Sequence, residues 1–166
     1  MRYAISVQYI GKNYAGSQIQ FENGKQIALP TIQGELEKAL STLIKNNRCN
    51  TDGYGADLNN NRPVRAIFSG RTDKGVNARG QVVHFDTEEL IVASKFLYSI
   101  NEILPDDISV SDLREVDKSF HAQKSAKKRH YRFEFINRRC KNAFDGDLMR
   151  IKYEICLLYT SDAADE

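Results

Sequence analysis

The sequence has few of the features that place a protein in a membrane or in an oxidising compartment. Its apolar runs are only a few residues long, far short of the roughly 20 that a membrane-spanning helix needs. Its three cysteines, Cys49, Cys140 and Cys156, are odd in number and widely separated, so they suggest neither a disulfide framework nor a CxxC metal site. The N-terminal stretch MRYAISVQYIG lacks the apolar core of a signal peptide. We therefore expect a cytoplasmic protein with reduced thiols.

The composition fits a soluble domain, and its charge is unevenly distributed. At 166 residues, 41% hydrophobic and 28% charged, the chain is long enough to bury one core. The net charge of +2 decides little, but between Phe120 and Lys141 a single acid, Glu134, accompanies eight basic residues. Such an excess indicates an anionic partner, first of all a nucleic acid, although a solvated basic loop is an equal alternative. The eight are Lys124, Lys127, Lys128, Arg129, Arg132, Arg138, Arg139 and Lys141.

The last eleven residues, CLLYTSDAADE, differ in character from the rest of the chain. The basic, amphipathic sequence stops at Ile155, and a small, acidic string follows at 156–166. This string resembles a sequencing-library transposon adapter translated in frame. We therefore expect residues 1–155 to be an N-terminal domain that is incomplete at its C-terminal end, with a non-native tail after it.

Hydrophobic patterning predicts the secondary structure. Residues 2–9 alternate like a strand, and Pro30 and Thr31 precede a helix that repeats apolar residues to about position 46. The order of these elements, with helices segregated over a mixed or antiparallel sheet, predicts an α+β fold. The remaining predictions are an exposed loop over 46–63, strands over 64–70, 80–87, 107–116 and 130–137, and a helix over about 92–104.

The most unusual stretch is SGRTDKGVNARGQ, residues 69–81. Gly70 and Gly75 bracket the sequence RTDK between two predicted strands, and glycine both tolerates positive φ and leaves room for a ligand. Arg71 and Lys74 would keep Asp73 ionised, and an ionised aspartate can act as nucleophile, general base or metal ligand. The stretch does not fit a phosphate-binding GxxxxGK[ST] loop. From spacing alone, a carboxylate tied to its neighbours in a tight turn is the commoner situation.

Several motifs together resemble one enzyme family. SGRTDKGVNARGQVVHFDT is similar to the active-site motif of the TruA-type tRNA pseudouridine synthases, which reads G-R-T-D-x-G-V-x-A followed by G-Q-V-x-H-F. The stretches VQYIGKNYAGSQIQ, TIQGELEKAL, ILPDDISV and FHAQKSAKKRHYRFEF resemble further landmarks of that family in the same order. The resemblance covers about residues 1–140. One departure is Ser17, where the family usually has tryptophan.

The resemblance implies a catalytic role for Asp73. As nucleophile, it would attack a uridine so that the base detaches, rotates and rejoins its ribose through C5. Arg71 would pair with Asp73 and help to hold the nucleotide, and Tyr131 would stack on the target base. From spacing alone Tyr131 is more typical of a core residue, and His84 and His121 are interpreted as structural. The basic residues Lys124, Lys127, Lys128 and Arg129 would contact the RNA backbone.

The same resemblance implies the rest of the molecule's biology. It implies a ferredoxin-like half-fold with helices on one face of the sheet, a homodimer, and tRNA as partner, with uridines at family positions 38–40 of the anticodon stem-loop as substrates. Because the isomerisation conserves all atoms, no cofactor and no metal are implied. The alternative is a non-catalytic α+β RNA-binding module. Since the family carries a second domain, we also expect the 166-residue chain to be inactive or poorly soluble.

Overall fold

The computed structural model describes residues 1–22, 25–26, 29–51, 64–137 and 149–151. The chain divides into two compact units, Met1–Lys127 and Lys128–Glu166. Within the described ranges, no helix combines the length and apolar character that crossing a membrane requires. The tail at 156–166 lies outside the described residues, so its assignment as a foreign sequence stays a prediction.

The first unit holds most of the regular structure. It begins with β1 (Arg2–Tyr9), a 3-10 turn (Gly11–Asn13) and a small hairpin of β2 (Phe21–Glu22) and β3 (Lys25–Gln26). It continues with α1 (Ile32–Thr51), β4 (Ile67–Phe68), β5 (Ala78–Asp86), α2 (Ala93–Ile103) and β6 (Ile108–Val116). The second unit contains β7 (Phe135–Asn137) and β8 (Met149–Ile151), which pair in parallel.

The main sheet is antiparallel and has the strand order β4–β5–β1–β6. Apart from the small hairpin, its strands and the two helices follow one another as β-α-β-β-α-β, which is the ferredoxin-like arrangement. The α+β class predicted from the sequence is therefore confirmed. Because β5 and β1 are central and adjacent, the loop that enters β5 and the loop that leaves β1 emerge side by side at one end of the sheet.

One face of the sheet and both helices share a single hydrophobic core. Alternation along β1 directs Tyr3, Ile5 and Val7 into this core, because successive side chains of a strand point to opposite faces. Each large apolar side chain buried there contributes roughly 1.5–3 kcal/mol to folding. The helices contribute Ile32, Leu36, Ala39, Leu40, Ile44, Phe96 and Ile100.

The helix start predicted at Thr31 is confirmed. Thr31 is buried, and its hydroxyl accepts a hydrogen bond from the Gly34 backbone N–H at 3.1 Å, as an N-cap residue does. α1 then begins at Ile32. This cap matters for the candidate site, because N–H groups in the first turn of α1 also donate hydrogen bonds to Gly16 and Ser17, which follow the 3-10 turn.

His84 lies on the opposite face of the sheet from the helices, as its position in the strand pattern predicts. It is only 1% exposed, and its Nδ1 accepts a hydrogen bond from the Ala122 N–H at 3.1 Å. The His121 ring packs edge-on against it, with 5.0 Å between ring centroids. Burial, with the nearby charges of Arg2 and His121, lowers the pKa of His84, and Asp86 opposes this shift. The interpretation of His84 as a structural residue therefore fits its environment.

Three predicted boundaries are wrong. The exposed loop predicted over 46–63 begins too early, since α1 continues to Thr51; residues 52–63 lie outside the described part. The strand predicted over 64–70 is reduced to Ile67–Phe68, which pair with His84 and Val83. The strand predicted over 130–137 begins only at Phe135. A strand needs a hydrogen-bonding partner as well as alternation, and an alternating sequence does not say where that partner ends.

Candidate active site

The motif loop, residues 69–77, connects β4 to β5 and carries Asp73. Its first residue is fixed to β5: the Ser69 N–H donates to the Val82 carbonyl at 2.8 Å, and the Ser69 hydroxyl donates to Gln81 Oε1 at 3.0 Å. In the middle of the loop the Val76 N–H donates a hydrogen bond to the Asp73 carbonyl at 3.2 Å and closes a turn. Gly75 occupies this turn with φ +82°, a conformation that glycine adopts without a steric cost.

A second segment, residues 14–20, runs beneath the motif loop and is called the strap here. Its Ser17 is fully buried and contacts Thr72, the residue before the candidate nucleophile. The Thr72 N–H donates to Ser17 Oγ at 2.8 Å, and the Ser17 N–H donates to the Thr72 carbonyl at 3.0 Å. The strap therefore holds both sides of the Thr72 backbone.

The end of β1 holds the side chain of the same threonine. Tyr9 is 3% exposed, and its hydroxyl forms a 2.8 Å hydrogen bond with Thr72 Oγ1. Burial raises the pKa of the Tyr9 phenol, although its hydrogen bonds to Thr72 and Ser17 act in the other direction. The phenol is therefore neutral near pH 7 and keeps its proton for hydrogen bonding.

Two glycines outside the motif allow this close approach. A Cβ at Gly11 would lie 2.1 Å from the Val76 carbonyl oxygen, and a Cβ at Gly16 would lie 2.8 Å from the Thr72 carbonyl oxygen. Gly16 also has φ +129°, which disfavours any residue with a side chain. The Gly11 N–H additionally donates to Asn77 Oδ1 at 2.8 Å. The motif loop therefore rests directly on backbone.

Asp73 itself points away from this support. Its side chain is 87% exposed, and its Oδ1 lies 3.9 Å from Nε of Arg71, whose side chain is 55% exposed. An exposed pair of this kind contributes about 0–1 kcal/mol, so it does little to fix the carboxylate. The loop thus presents a solvent-accessible carboxylate, with a guanidinium beside it, on a backbone that is held from below.

Within the first unit, the residues just before Lys124 and Lys127 are tied to the sheet. Arg2 donates from Nη1 to the carbonyls of Lys118 and Phe120, both at 2.7 Å, and binds Asp86 through two nitrogens at 2.7 and 2.8 Å. The hydrogen bond from Arg2 lowers the pKa of Asp86 and keeps it ionised. These bonds tie residues 118–120 to the sheet, and the exposed side chains of Lys124 and Lys127 follow shortly after.

The other predicted RNA-contacting residues belong to the second unit. Lys128 and Arg129 are exposed, and Tyr131 is 79% exposed. Within the described residues the Tyr131 ring is therefore not buried in a core, although the alternating pattern alone would favour a buried position. Phe133 and Phe135 keep the alternation, with ring centroids 6.3 Å apart. That Tyr131 and these cations share a site with Asp73 stays a prediction.

A metal centre has no obvious place in the described ranges. They contain no group of three or more histidine, cysteine, aspartate or glutamate side chains close enough to hold an ion. Asp107, the acid after Asp106 in the α2–β6 turn, instead accepts a hydrogen bond from the Tyr14 hydroxyl. Burial, and then Asp107, raises the pKa of Tyr14. This pair fastens the strap to the sheet end rather than offering ligands.

Sequence reasoning identified the motif loop but missed its support. Tyr9 was predicted only as part of a strand, and Ser17 only as a departure from a family pattern. The available signal was Gly16, because glycine is the usual residue where the backbone needs a positive φ or a close approach. Nothing in the sequence indicated that the contact would be with residue 72.

Comparison with known proteins gives a consistent set of relatives. No family model matches the chain. A tRNA pseudouridine synthase A from Colwellia psychrerythraea is 36% identical over 143 residues, which are 86% of this chain and 47% of that protein. The proteins of that name from Methylococcus capsulatus and Aeromonas salmonicida are 40% and 38% identical, over 86% and 88% of this chain and 45% and 46% of their own lengths. The chain thus spans about half the length of the curated relatives it matches.

Proposed function

The chain belongs to the family of the tRNA pseudouridine synthase A proteins, about half of whose length it spans, and we propose that it supplies the nucleophile of such an enzyme. The observation that carries this proposal is the pairing of an exposed carboxylate, Asp73, with a backbone held by buried hydrogen bonds. A nucleophile must reach its substrate and yet stay in place, and the motif loop combines both properties.

In the proposed reaction Asp73 attacks the uridine, at C6 of the base or at C1′ of the ribose. The bond between N1 and C1′ breaks, the base turns, and a new bond joins C5 to C1′. The bond between Asp73 and the uridine then breaks, which frees the carboxylate. The proton lost from C5 is balanced by one gained at N1, so the product is an isomer of the substrate. Neither an oxidant nor a co-reactant is consumed, which is why the proposal includes no cofactor.

Arg71 and Tyr131 have supporting roles in this proposal. A uridine paired or stacked in RNA is unreachable, so the enzyme has to flip it out and to offer planar groups in exchange. Arg71, beside Asp73, holds the flipped nucleotide and pairs with the carboxylate. Tyr131, whose ring is largely exposed, stacks on the base. Both assignments rest on the sequence resemblance and on accessibility.

The proposed substrate is tRNA, and its modified uridines are those of the anticodon stem-loop at family positions 38–40. Lys124, Lys127, Lys128 and Arg129 are exposed cations that we assign to the phosphate backbone, where contacts position the RNA without reading its sequence. We further propose a homodimer in the cytoplasm. Mapping pseudouridine along tRNA treated with the protein would test the choice of positions.

Replacing the carboxylate tests the proposal against its alternative, a non-catalytic RNA-binding module. In the protein expressed from the intact gene, Asp73→Asn should abolish tritium release from tRNA labelled at C5 of uridine. The tRNA dissociation constant should stay within about threefold, since a neutral isostere removes the nucleophile but not the surface. Asp106→Asn, a change at another exposed aspartate of the first unit, is the matched control. Equal release by both variants would refute the nucleophile and favour the binding module.

A further inference from the structure

We propose that Ser17 and Tyr9 are positioning residues for Asp73, and that they act through Thr72. The inference rests on the proposed function, because it concerns the placement of that nucleophile. Neither residue touches the reacting atoms in this proposal. Their part is to set the direction in which the chain enters residue 73.

The contacts divide the polar groups of Thr72 between the two residues. Ser17 Oγ accepts from the Thr72 N–H at 2.8 Å, and the Thr72 carbonyl accepts from the Ser17 N–H at 3.0 Å and from the Ser17 hydroxyl at 3.4 Å. Tyr9 takes Thr72 Oγ1 at 2.8 Å. The carbonyl of Thr72 belongs to the peptide plane that leads into Asp73. Fixing that carbonyl therefore fixes the Cα from which the nucleophilic side chain extends.

The strap is itself hydrogen-bonded to the start of α1, so the position of Thr72 is fixed relative to the helix that packs on the core. The Ile32 N–H donates to the Gly16 carbonyl at 3.2 Å, and the Gln33 N–H donates to the Ser17 carbonyl at 2.9 Å. These are N–H groups of the first turn of α1, which need acceptors outside the helix. Ser17 thus bridges the start of α1 and the motif loop.

The loop's own interactions are weaker than this support. The ion pair at 3.9 Å between Arg71 and Asp73 is exposed to water, whereas Ser17 and Tyr9 are 0% and 3% exposed. Hydrogen bonds shielded from water are stronger electrostatically, and losing one partner leaves the other unsatisfied. The buried side chains of Ser17 and Tyr9 therefore set the orientation of Thr72, while the Asp73 side chain stays exposed to solvent.

The chemistry also explains the small hydroxyl at position 17. Ser17 is fully buried, and a Cβ built on Gly16 would lie 2.8 Å from the Thr72 carbonyl oxygen, so the strap and the motif loop already pack closely. A serine hydroxyl accepts from one backbone N–H and can donate at the same time. Alanine would fit but would offer no acceptor to the Thr72 N–H.

Two conservative variants, made in the protein expressed from the intact gene, test this role. Ser17→Ala and Tyr9→Phe should each lower the single-turnover rate of pseudouridine formation by roughly 10- to 100-fold, since a misplacement of about 1 Å can cost 100-fold. The KM for tRNA should stay within about threefold of the wild-type value, because the RNA-contacting surface is unchanged.

Matched controls separate positioning from mere stability. Ser41 Oγ also accepts a loop N–H, that of Val64 at 3.2 Å, and the Tyr3 hydroxyl accepts the Ile91 N–H at 3.1 Å at the far end of β1. Ser41→Ala and Tyr3→Phe remove equivalent bonds away from Asp73. Both control variants should keep the wild-type rate. The rates are to be measured at a temperature where urea titrations show that every variant is folded.

The outcomes are decisive in either direction. A double variant of Ser17 and Tyr9 that loses less than the product of the single losses would support a shared action through Thr72. Wild-type rates in both single variants, or equal losses in the controls, would overturn the inference. If Ser17→Ala does not fold, Tyr9→Phe decides alone. Loss of activity in Asp73→Asn with full activity in Ser17→Ala and Tyr9→Phe would leave the proposed function standing and remove only the positioning role.

Discussion

Replacing Gly11 by alanine should disturb the candidate nucleophile from a distance of more than sixty residues in sequence. Gly11 begins the 3-10 turn after β1, and its Cα faces the backbone of Val76 in the motif loop. A Cβ there would lie 2.1 Å from the Val76 carbonyl oxygen, 2.8 Å from its carbonyl carbon and 2.9 Å from its nitrogen. All three are backbone atoms, so no side chain can rotate away to make room.

The size of the required movement follows from these distances. Real Cβ contacts essentially never fall below 3.0 Å, so the two segments must separate by about 0.9 Å at least. Val76 is hydrogen-bonded to the Asp73 carbonyl, and that movement is transmitted to the carboxylate-bearing turn. Forcing extra atoms into a packed contact typically costs about 1–3 kcal/mol. We expect a loss of this size in unfolding free energy and, by misplacement, a fall of about 100-fold in rate.

Urea titration would give the free energy of unfolding, and single-turnover pseudouridine formation would give the rate. Two glycine-to-alanine changes serve as controls. Gly80 has ordinary space, with Ser6 Oγ 3.6 Å from a built Cβ, so Gly80→Ala should be neutral or slightly stabilising. Gly75 has φ +82° but nothing within 4 Å, so Gly75→Ala isolates the conformational cost of a positive φ, about 1–2 kcal/mol.

Two outcomes of these measurements would contradict the expected effect of Gly11→Ala. If Gly11→Ala keeps the wild-type rate and stability, the contact between the 3-10 turn and the motif loop does not exist as described. If Gly11→Ala loses stability but keeps its rate, the contact exists and the motif loop tolerates displacement. That second result would contradict the view that close backbone packing places Asp73.

Two further predictions concern pH and salt. A histidine in the unfolded chain takes up a proton near pH 6.5, whereas burial makes His84 resist protonation in the folded protein. The contribution of His84 to the free energy of unfolding should therefore be fully present above pH 6.5. Below that pH the free energy of unfolding should fall, by at most about 1.4 kcal/mol per pH unit. His84→Asn should lose this part of the slope in urea titrations from pH 7 to 5, and an unchanged slope would contradict the assignment. Replacing Lys124 and Lys127 by glutamine should flatten the dependence of tRNA affinity on salt by about one to two units of log–log slope, with Lys95→Gln as control; an unaltered slope would remove both from the RNA surface.

Much of the fold could be predicted from periodicity, because burial imposes it. Alternation in β1 and the apolar stripe of α1 correspond to the one core that the first unit forms. Boundaries were harder where tertiary pairing decides them. β4 is only two residues long because the chain leaves β5 after Phe68 to form the motif loop, and no local property of residues 64–70 marks that point.

The candidate site shows the same division between local and distant causes. The motif's composition pointed to Asp73, and the loop indeed exposes it. The glycines within the motif were expected to make room for a ligand. Gly75 has the positive φ that glycine tolerates, and a Cβ there would enter open space, so the room for a ligand stays a prediction. Close packing of backbone against backbone requires glycine at Gly11 and Gly16, outside the motif.

Because residues outside the motif support its backbone, the motif alone does not determine where Asp73 lies. A short sequence can specify a turn, but it cannot specify the surface against which the turn is pressed. Here that surface is the strap and the end of β1, which reach Thr72 through Ser17 and Tyr9 across more than fifty residues of sequence. A chain could therefore carry the whole motif and still misplace its aspartate if the strap were altered. The information that places Asp73 is shared between two segments, and only one of them resembles an active-site motif.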